Sequence, residues 1–101
     1  MKVEQFYNKN QFIMHGEGKI IFQSYNSTIA IYQNGILTLG RHWDYSTTTS
    51  KHLYLFISDY VNILTDGGYS LKSELRNSTN KRKIINNLIE KNIIVYDERL
   101  A

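Results

Sequence analysis

The chain has 101 residues, of which 42% are hydrophobic and 21% are charged, and its formal net charge is +3 at pH 7. This composition is typical of one small globular domain, and it excludes wholesale disorder. The lack of cysteine excludes disulfides and cysteine-ligated metals, and no apolar run reaches the 18 or so residues that a membrane-spanning helix needs. We therefore expect one cytoplasmic domain over residues 1–101 without membrane contact.

The first half of the chain predicts an antiparallel β-meander. Residues 1–16 show little pattern beyond one short strand at residues 12–14, because turn-forming residues interrupt the segment. Three β-rich runs follow, at residues 19–25, 28–33 and 36–40. Asn26-Ser27 and Asn34-Gly35 separate them, and Asn-Gly between apolar runs favours a tight hairpin.

Two-residue turns at both places would fix which side chains share a face of the sheet. The predicted core face carries Ile20, Phe22, Ile29, Ile31, Ile36 and Thr38. The opposite face then carries Ile21, Gln23, Tyr25, Thr28, Ala30, Tyr32, Leu37 and Leu39. That second face is too apolar for a plain solvent face. Two alternatives explain it: a helix or the N-terminal segment covers the face, or a partner subunit or target protein contacts it at Tyr25, Tyr32, Leu37 and Leu39.

After residue 40 the hydrophobic period changes from two to that of a helix. Leu53, Phe56, Ile57, Tyr60 and Leu64 recur at helical spacing and predict a helix over residues 47–64, ended by Gly67-Gly68. A second helix is predicted over residues 81–91, with a buried stripe of Ile84, Ile85, Leu88 and Ile89. Residues 70–76 predict a short helical turn, and residues 93–96 a terminal strand. The predicted fold is α+β: a meander of three to four strands packed against two helices, with a short C-terminal strand.

The segment from Arg41 to His52 joins the meander to the first helix and holds the least ordinary side chains of the chain. Ser46 is the first choice of N-cap and Thr48 the second. The remaining hydroxyls, with Lys51 and His52, would surround a helix N-terminus whose N–H groups and dipole favour an anion. The run therefore either only caps the helix or also binds an anion such as phosphate. The candidate interaction residues here are Arg41, Trp43, Tyr45, Ser46, Thr48, Thr49, Lys51 and His52. If Trp43 is buried, it instead anchors the corner between strand and helix.

Catalytic and metal chemistry find little support in the sequence. The three histidines do not lie at ligand spacing from one another or from a carboxylate triad. Asp44, Ser46 and His52 supply the atom types of a nucleophilic site, but closeness in sequence does not establish the required geometry. We expect no enzymatic activity, no metal and no cofactor.

Basic residues point to a second class of function. Lys81, Arg82 and Lys83 cluster at a helix start, and Lys72, Arg76, Arg41 and Lys51 add to the positive charge. Clustered cations beside an aromatic ring such as Trp43 are what phosphate contact and base stacking require. The alternative is an ordinary solvated basic face. The wide separation of the two helices argues against a helix-turn-helix motif.

The string Tyr45-Ser46-Thr47-Thr48-Thr49-Ser50-Lys51-His52, preceded by Trp43-Asp44, resembles a Tyr-Ser-x-Thr-Thr-Ser-Lys-His pattern of small uncharacterised proteins of bacteriophages and related mobile elements. In that group the x position is often proline, whereas here it is Thr47. The resemblance implies a non-enzymatic accessory protein in the host cytoplasm, acting by macromolecular recognition. Its expected partner is a host protein or ribonucleoprotein, such as a CRISPR effector that it inhibits. A small basic nucleic-acid-binding protein is the alternative, and a homodimer is compatible with both.

Overall fold

The computed structural model describes residues 2–65 and 67–100, which form a six-stranded sheet and three helices. The strands are β1 (Lys2–Phe6), β2 (Asn8–Gly16), β3 (Lys19–Ser24), β4 (Ser27–Gln33), β5 (Ile36–Gly40) and β6 (Val95–Asp97). The helices are α1 (Thr47–Tyr60), α2 (Leu71–Arg76) and α3 (Lys81–Glu90). The α+β class is confirmed, and the predicted helical turn at residues 70–76 and the C-terminal strand are present as α2 and β6. The predicted meander of three to four strands was too short, because five strands form it.

The strands follow one another across the sheet in chain order. β1 to β5 form an antiparallel meander, and β6 returns from the helices to pair parallel with β5. The predicted Asn34-Gly35 turn is confirmed, since both residues have positive φ and Gln33 pairs with Ile36. In the part of the chain that is described, no helix combines the length and the apolarity needed to cross a membrane.

The N-terminal strands are longer than the sequence suggested. The turn between β1 and β2 lies at Tyr7, which has a φ of 63°, and β2 already begins at Asn8. Gln11 and Ile13 are both fully buried on the same side of β2. A polar residue at a buried position breaks the apolar alternation that identifies a strand, so the prediction covered only residues 12–14.

The β3–β4 turn lies one residue earlier than predicted. Ser24 pairs with Ser27, so the turn consists of Tyr25 and Asn26. A β-bulge follows, because Phe22 pairs with Ala30 and Gln23 with Thr28, which leaves Ile29 as the extra residue. A shift of one residue moves side chains to the other face of a strand. The predicted faces of the meander were therefore partly wrong.

The inner face of the sheet packs against the helices, and the outer face is the opposite side. Phe22, Ala30, Leu37 and Leu39 are buried on the inner face, and Tyr32 packs against this core. The pairing register places on the outer face Ile21, Ile31, Ile36 and Thr38. The prediction that Ile31, Ile36 and Thr38 form the core was wrong. Leu37, Leu39 and Tyr32 lie on the face that the helices cover, so of the two predicted alternatives for that face the helix is confirmed and the partner is not.

α1 begins as predicted and ends earlier. The Ser46 side chain accepts a hydrogen bond from the Thr49 N–H at 3.1 Å, which confirms the first choice of N-cap. Leu53, Phe56 and Ile57 enter the core, but the helix ends at Tyr60 because Val61 takes an extended conformation and is itself buried. Leu64 was predicted on the buried stripe and is instead 63% exposed, in a short bridge to Ser70.

The two later helices complete the inner layer. Ser70 and Asn80 cap α2 and α3, and each side chain accepts from a backbone N–H of the first turn. Ile85 and Leu88 are buried, while Ile84 and Ile89 pack at the edge of the core as the predicted stripe requires. After the left-handed residue Asn92 the chain enters β6, two residues later than predicted. Leu100 then accepts a hydrogen bond from the Arg41 N–H at 3.1 Å.

Side-chain hydrogen bonds of Glu4 connect β1 to β2 and to α1. The His15 ring and the Tyr60 hydroxyl both donate to its carboxylate, at 3.2 and 3.1 Å. The hydrogen bond from His15, and then that from Tyr60, lower the pKa of Glu4. A lowered pKa stabilises the fold above the unfolded-state value, and this stabilisation is lost as the pH falls through the folded-state value.

We therefore expect the melting temperature of Glu4→Gln to depend less on pH in the acidic range than that of the wild type. In the wild type the melting temperature should fall as the pH drops from about 5 to about 3, across the titration range of a glutamate. The variant should lose less over the same interval, and the control Glu17→Gln should behave like the wild type. The measurement is thermal unfolding by circular dichroism. Equal slopes for wild type and Glu4→Gln would contradict a role for these hydrogen bonds.

Candidate functional site

The corner between β5 and α1 places a buried aromatic ring two residues from an exposed one. Trp43 is 3% exposed and belongs to the core, whereas Tyr45 is 78% exposed. Backbone hydrogen bonds from the Trp43 N–H to Gly40 and from the Tyr45 N–H to His42 hold the chain in two successive turns. Of the two candidate rings, only Tyr45 is therefore available to a partner.

The hydroxyl run at the start of α1 divides into capping and accessible groups. Ser46 caps the helix, and its hydroxyl also donates to the Thr49 hydroxyl, which is buried. In the described part of the chain, the N–H groups of Thr47 and Thr48 have no partner, as is usual in a first helical turn. Both possibilities raised by the sequence remain: the run caps the helix, and it also leaves N–H groups that an anion could use.

His52 and His42 have different surroundings. His52 is buried, and its Nδ1–H donates to the Thr48 carbonyl at 2.8 Å, so its role is within the helix rather than at a surface. His42 packs edge-on against the Tyr45 ring, and its Nε2 accepts from Arg41 at 3.4 Å. Arg41 is thereby directed to its neighbour and lines neither of the clefts that follow.

Two clefts flank Tyr45 and Ser46. The first, here called the hydroxyl cleft, is lined by Ser24, Tyr25, Asn26, Ser27, Ile29, His42, Tyr45, Ser46, Thr48 and Thr49. The Ser24 hydroxyl is buried in this lining, and it has no hydrogen-bond partner within the described residues. This cleft offers neutral hydrogen-bond donors and acceptors, and Tyr25 and Tyr45 stand exposed at its rim.

The second cleft, here called the basic groove, runs between the helices. Its wider part, about 730 Å³, is lined by Asp44, Tyr45, Ser46, Thr47, Ser50, Lys51, Tyr54, Lys81 and Arg82. Its narrower part, about 200 Å³, adjoins the first through Tyr54 and Lys81 and is lined further by Leu55, Ser58, Lys72, Leu75 and Arg76. The groove thus brings together cations from all three helices.

Several sources of positive potential meet in the basic groove. It is lined by five of the twelve Lys and Arg residues of the chain, namely Lys51, Lys72, Arg76, Lys81 and Arg82. α1 and α3 both begin at its wall, and neither has an acidic residue in its first turn. The positive ends of two helix dipoles therefore add to the field of the side chains.

One carboxylate opposes this field among the lining residues that the structure describes. Asp44 accepts a hydrogen bond from Arg82, and this contact raises the pKa of the guanidinium. Lys81 donates to the Ser78 carbonyl at 3.0 Å. No intramolecular partner is found within the described residues for the side chains of Lys51, Lys72 and Arg76. These three cations are available to an external anion.

The groove does not include every predicted residue. Lys83 lies beside Ile84 and Asn87 on another side of α3, away from Lys81 and Arg82. Tyr32 is half-buried, and its hydroxyl donates to the Asn62 carbonyl at 3.2 Å. Tyr54 is a groove residue that the sequence did not single out. Burial raises the pKa of its phenol, against an opposing hydrogen bond with Ser50.

Metal chemistry finds no support in this geometry. Within residues 2–65 and 67–100, no three His, Asp or Glu side chains come together as a metal site would require. The groove and the hydroxyl cleft instead present donors and cations on either side of an exposed ring. Such an arrangement can bind an anionic or hydrogen-bonding partner.

Comparison with known proteins shows a family for the N-terminal part of the chain. Residues 1–64 match the model of a family described as "Family of unknown function (DUF8033)". No curated protein and no solved structure matches the chain significantly. The matched part spans β1 to α1 and contains the whole hydroxyl cleft, whereas four of the five groove cations lie beyond it. Because the match covers more than half of the chain, the chain belongs to the DUF8033 family.

Proposed function

We propose that the protein binds nucleic acid through the basic groove and acts by recognition, without catalysing a reaction. The observation that carries the proposal is the convergence of two helix N-termini and five cations on one groove. Phosphate groups are the anions that such a site fits, since both lysine and arginine and the N–H groups of a first helical turn bind them.

The cations of the groove are spaced along it rather than gathered at one point. Lys51 and Arg82 line the wide part, Lys72 and Arg76 the narrow part, and Lys81 both. A row of this kind suits a chain of phosphates better than a single anion. Each phosphate that it neutralises releases condensed counterions, which makes binding favourable at low salt and weak at high salt.

An exposed ring at the wide end favours single strands. Tyr45 projects into solvent beside Lys51 and Arg82, and an unpaired base can stack on such a ring. The bases of a duplex are already stacked on one another and cannot use this contact. The N–H groups of Thr47 and Thr48 and the hydroxyl cleft lie just beyond Tyr45, where they can accept the next phosphate or sugar.

Binding of a fluorescent single-stranded oligonucleotide tests the proposal. If the protein makes three to five phosphate contacts, the logarithm of the association constant should fall linearly with the logarithm of the salt concentration. The expected slope is about −2 to −3.5. This corresponds to an affinity loss of about 20- to 100-fold between about 50 and about 200 mM salt. Lys51→Gln should make the slope shallower by about 0.7, whereas Lys19→Gln, outside the groove, should leave it unchanged.

A variant that is expected to bind more tightly complements this test. Asp44→Asn removes the opposing carboxylate and frees Arg82, so the variant should bind more tightly than the wild type. Absence of oligonucleotide binding at low salt would reject the proposal. Equal effects of Lys51→Gln and Lys19→Gln would show that binding reflects net charge alone.

Recognition of a host protein or ribonucleoprotein is the second candidate, and the exposed Tyr25 and Tyr45 support it. Two tyrosines at the rim of one cleft resemble the aromatic anchors of protein interfaces. The phage-like motif adds a host defence factor, such as a CRISPR effector, as the proposed target. A purified effector complex should then be captured by the wild type and lost with Tyr25→Ala. If free oligonucleotide abolishes this capture, the contact is made by the basic groove instead.

A further inference from the structure

The outer face of the sheet carries an apolar row that crosses all six strands. Register pairing aligns one residue from each strand, in the order Val3, Met14, Ile21, Ile31, Thr38 and Val95. Five of the six are aliphatic or thioether side chains. None of them belongs to the core or packs against it among the described residues.

Helices do not cover this row. α1 contacts the sheet at β3 and β4, and its buried side chains join the inner-face core with Phe22 and Leu39. Val3 and Val95 are exposed at the two ends of the row, while Met14, Ile21 and Ile31 are half-buried between neighbours. An antiparallel sheet that faces water normally carries polar residues at these alternate positions. A patch of this kind marks an interaction surface.

The residues beside the row are mostly uncharged. On one side the same face continues with Gln5, Phe12 and Gln23, and on the other with Lys19, Gln33 and Ile36. Fully buried interface centres avoid charge, and polar rims surround them. A partner that binds this face must therefore present a surface that is also apolar and uncharged.

We propose that the occupant of this face is the same face of a second copy, so that the protein is a homodimer of two stacked sheets. A two-fold axis would place the apolar row of one copy against the apolar row of the other. An apolar, nearly uncharged surface is complementary to itself. Sheets stack face to face about 10 Å apart with their strands within about 30° of each other. The helices and the five groove cations lie on the far side of each sheet, away from the contact.

The size of the face matches a stable dimer. Six strands at about 4.8 Å spacing span about 24 Å, and central strands of five to seven residues are about 17–23 Å long. The projected footprint is therefore roughly 500 Å². Accessible area exceeds projected area because side chains stand above the sheet. The face thus reaches the scale of the roughly 800 Å² per partner that a standard interface buries.

Sedimentation and light scattering at micromolar concentration test this inference, independently of nucleic-acid binding. The wild type should have twice the monomer mass of 11.9 kDa. Ile21→Lys places an unpaired ammonium at the centre of the contact on each subunit, and should weaken the dimer at least about 100-fold. Leu64→Lys, an equally drastic change at an exposed apolar site away from the sheet, should leave the dimer intact.

Folding of each variant is checked by circular dichroism. If Ile21→Lys unfolds, Thr38→Lys gives the same test at a position of the row that is already polar. If the wild type sediments as a monomer, the inference is overturned. This holds even if the monomer binds some other protein through this face. A dimer that survives Thr38→Lys as well as Leu64→Lys would overturn it too.

Discussion

Replacing Trp43 by alanine is expected to lower the free energy of unfolding by about 3–5 kcal/mol, the usual cost of truncating a large buried ring. The side chain is 3% exposed and joins the core cluster at the corner where β5 gives way to α1. Both clefts are built on this corner, so a cavity here also loosens the geometry around Ser46. A domain stabilised by about 5–15 kcal/mol loses a large fraction of its stability in this way.

Tyr45→Ala is the matched control, because it removes an aromatic ring two positions away at an exposed site. Its stability should stay within about 0.5 kcal/mol of the wild type. Oligonucleotide binding should instead weaken by about 1–3 kcal/mol, the contribution of one stacked base. Chemical denaturation and fluorescence anisotropy separate the two effects. A stable Trp43→Ala, or an unstable Tyr45→Ala, would contradict the placement of the two rings.

Leu37→Asp is expected to cost more than about 4 kcal/mol and to unfold the protein, because it buries an unpaired carboxylate in the core. Leu37 is fully buried on the inner face, where it lies beside Tyr32 across the β4–β5 ladder. The measurement is the denaturation midpoint, or the absence of a cooperative transition.

The preceding residue supplies the control for the orientation of the sheet. Ile36 is 52% exposed on the outer face, so Ile36→Asp should remain folded with a stability loss below about 1 kcal/mol. The comparison is made at low protein concentration, where association adds nothing to stability. If Ile36→Asp unfolded and Leu37→Asp did not, the inner and outer faces would have to be exchanged.

The sequence predicted the features of the fold that depend on local chemistry. The Ser46 cap and the Asn34-Gly35 hairpin each follow from one or two residues. The faces of β3 and β4 could not be predicted in the same way. They depend on a turn at Tyr25-Asn26 and a bulge at Ile29, and no residue there requires either. The one extra residue of the bulge was enough to move Ile31, Ile36 and Thr38 from the predicted core to the outer face.

The candidate site was predictable by composition but not by position. Arg82 and Lys83 are neighbours in sequence, yet successive helical residues point about 100° apart, and only Arg82 lines the groove. The sequence left Trp43 open between the core and the surface and placed His52 at a possible anion site, and tertiary packing buries both. Tyr54 and Asp44 belong to the site because Lys81 and Arg82 of α3 line the same groove, a tertiary arrangement that local sequence does not encode.

The parallel pairing of β6 with β5 has a consequence for the order of folding. Strands β1 to β5 and α1 join chain neighbours through short turns, whereas Thr38 meets Val95 only after α2 and α3 have intervened. Closing short loops costs little entropy and is fast, so we expect the meander to form first and β6 to dock last. Four of the five groove cations belong to this late segment. The emerging chain therefore carries a folded sheet before its basic groove is complete.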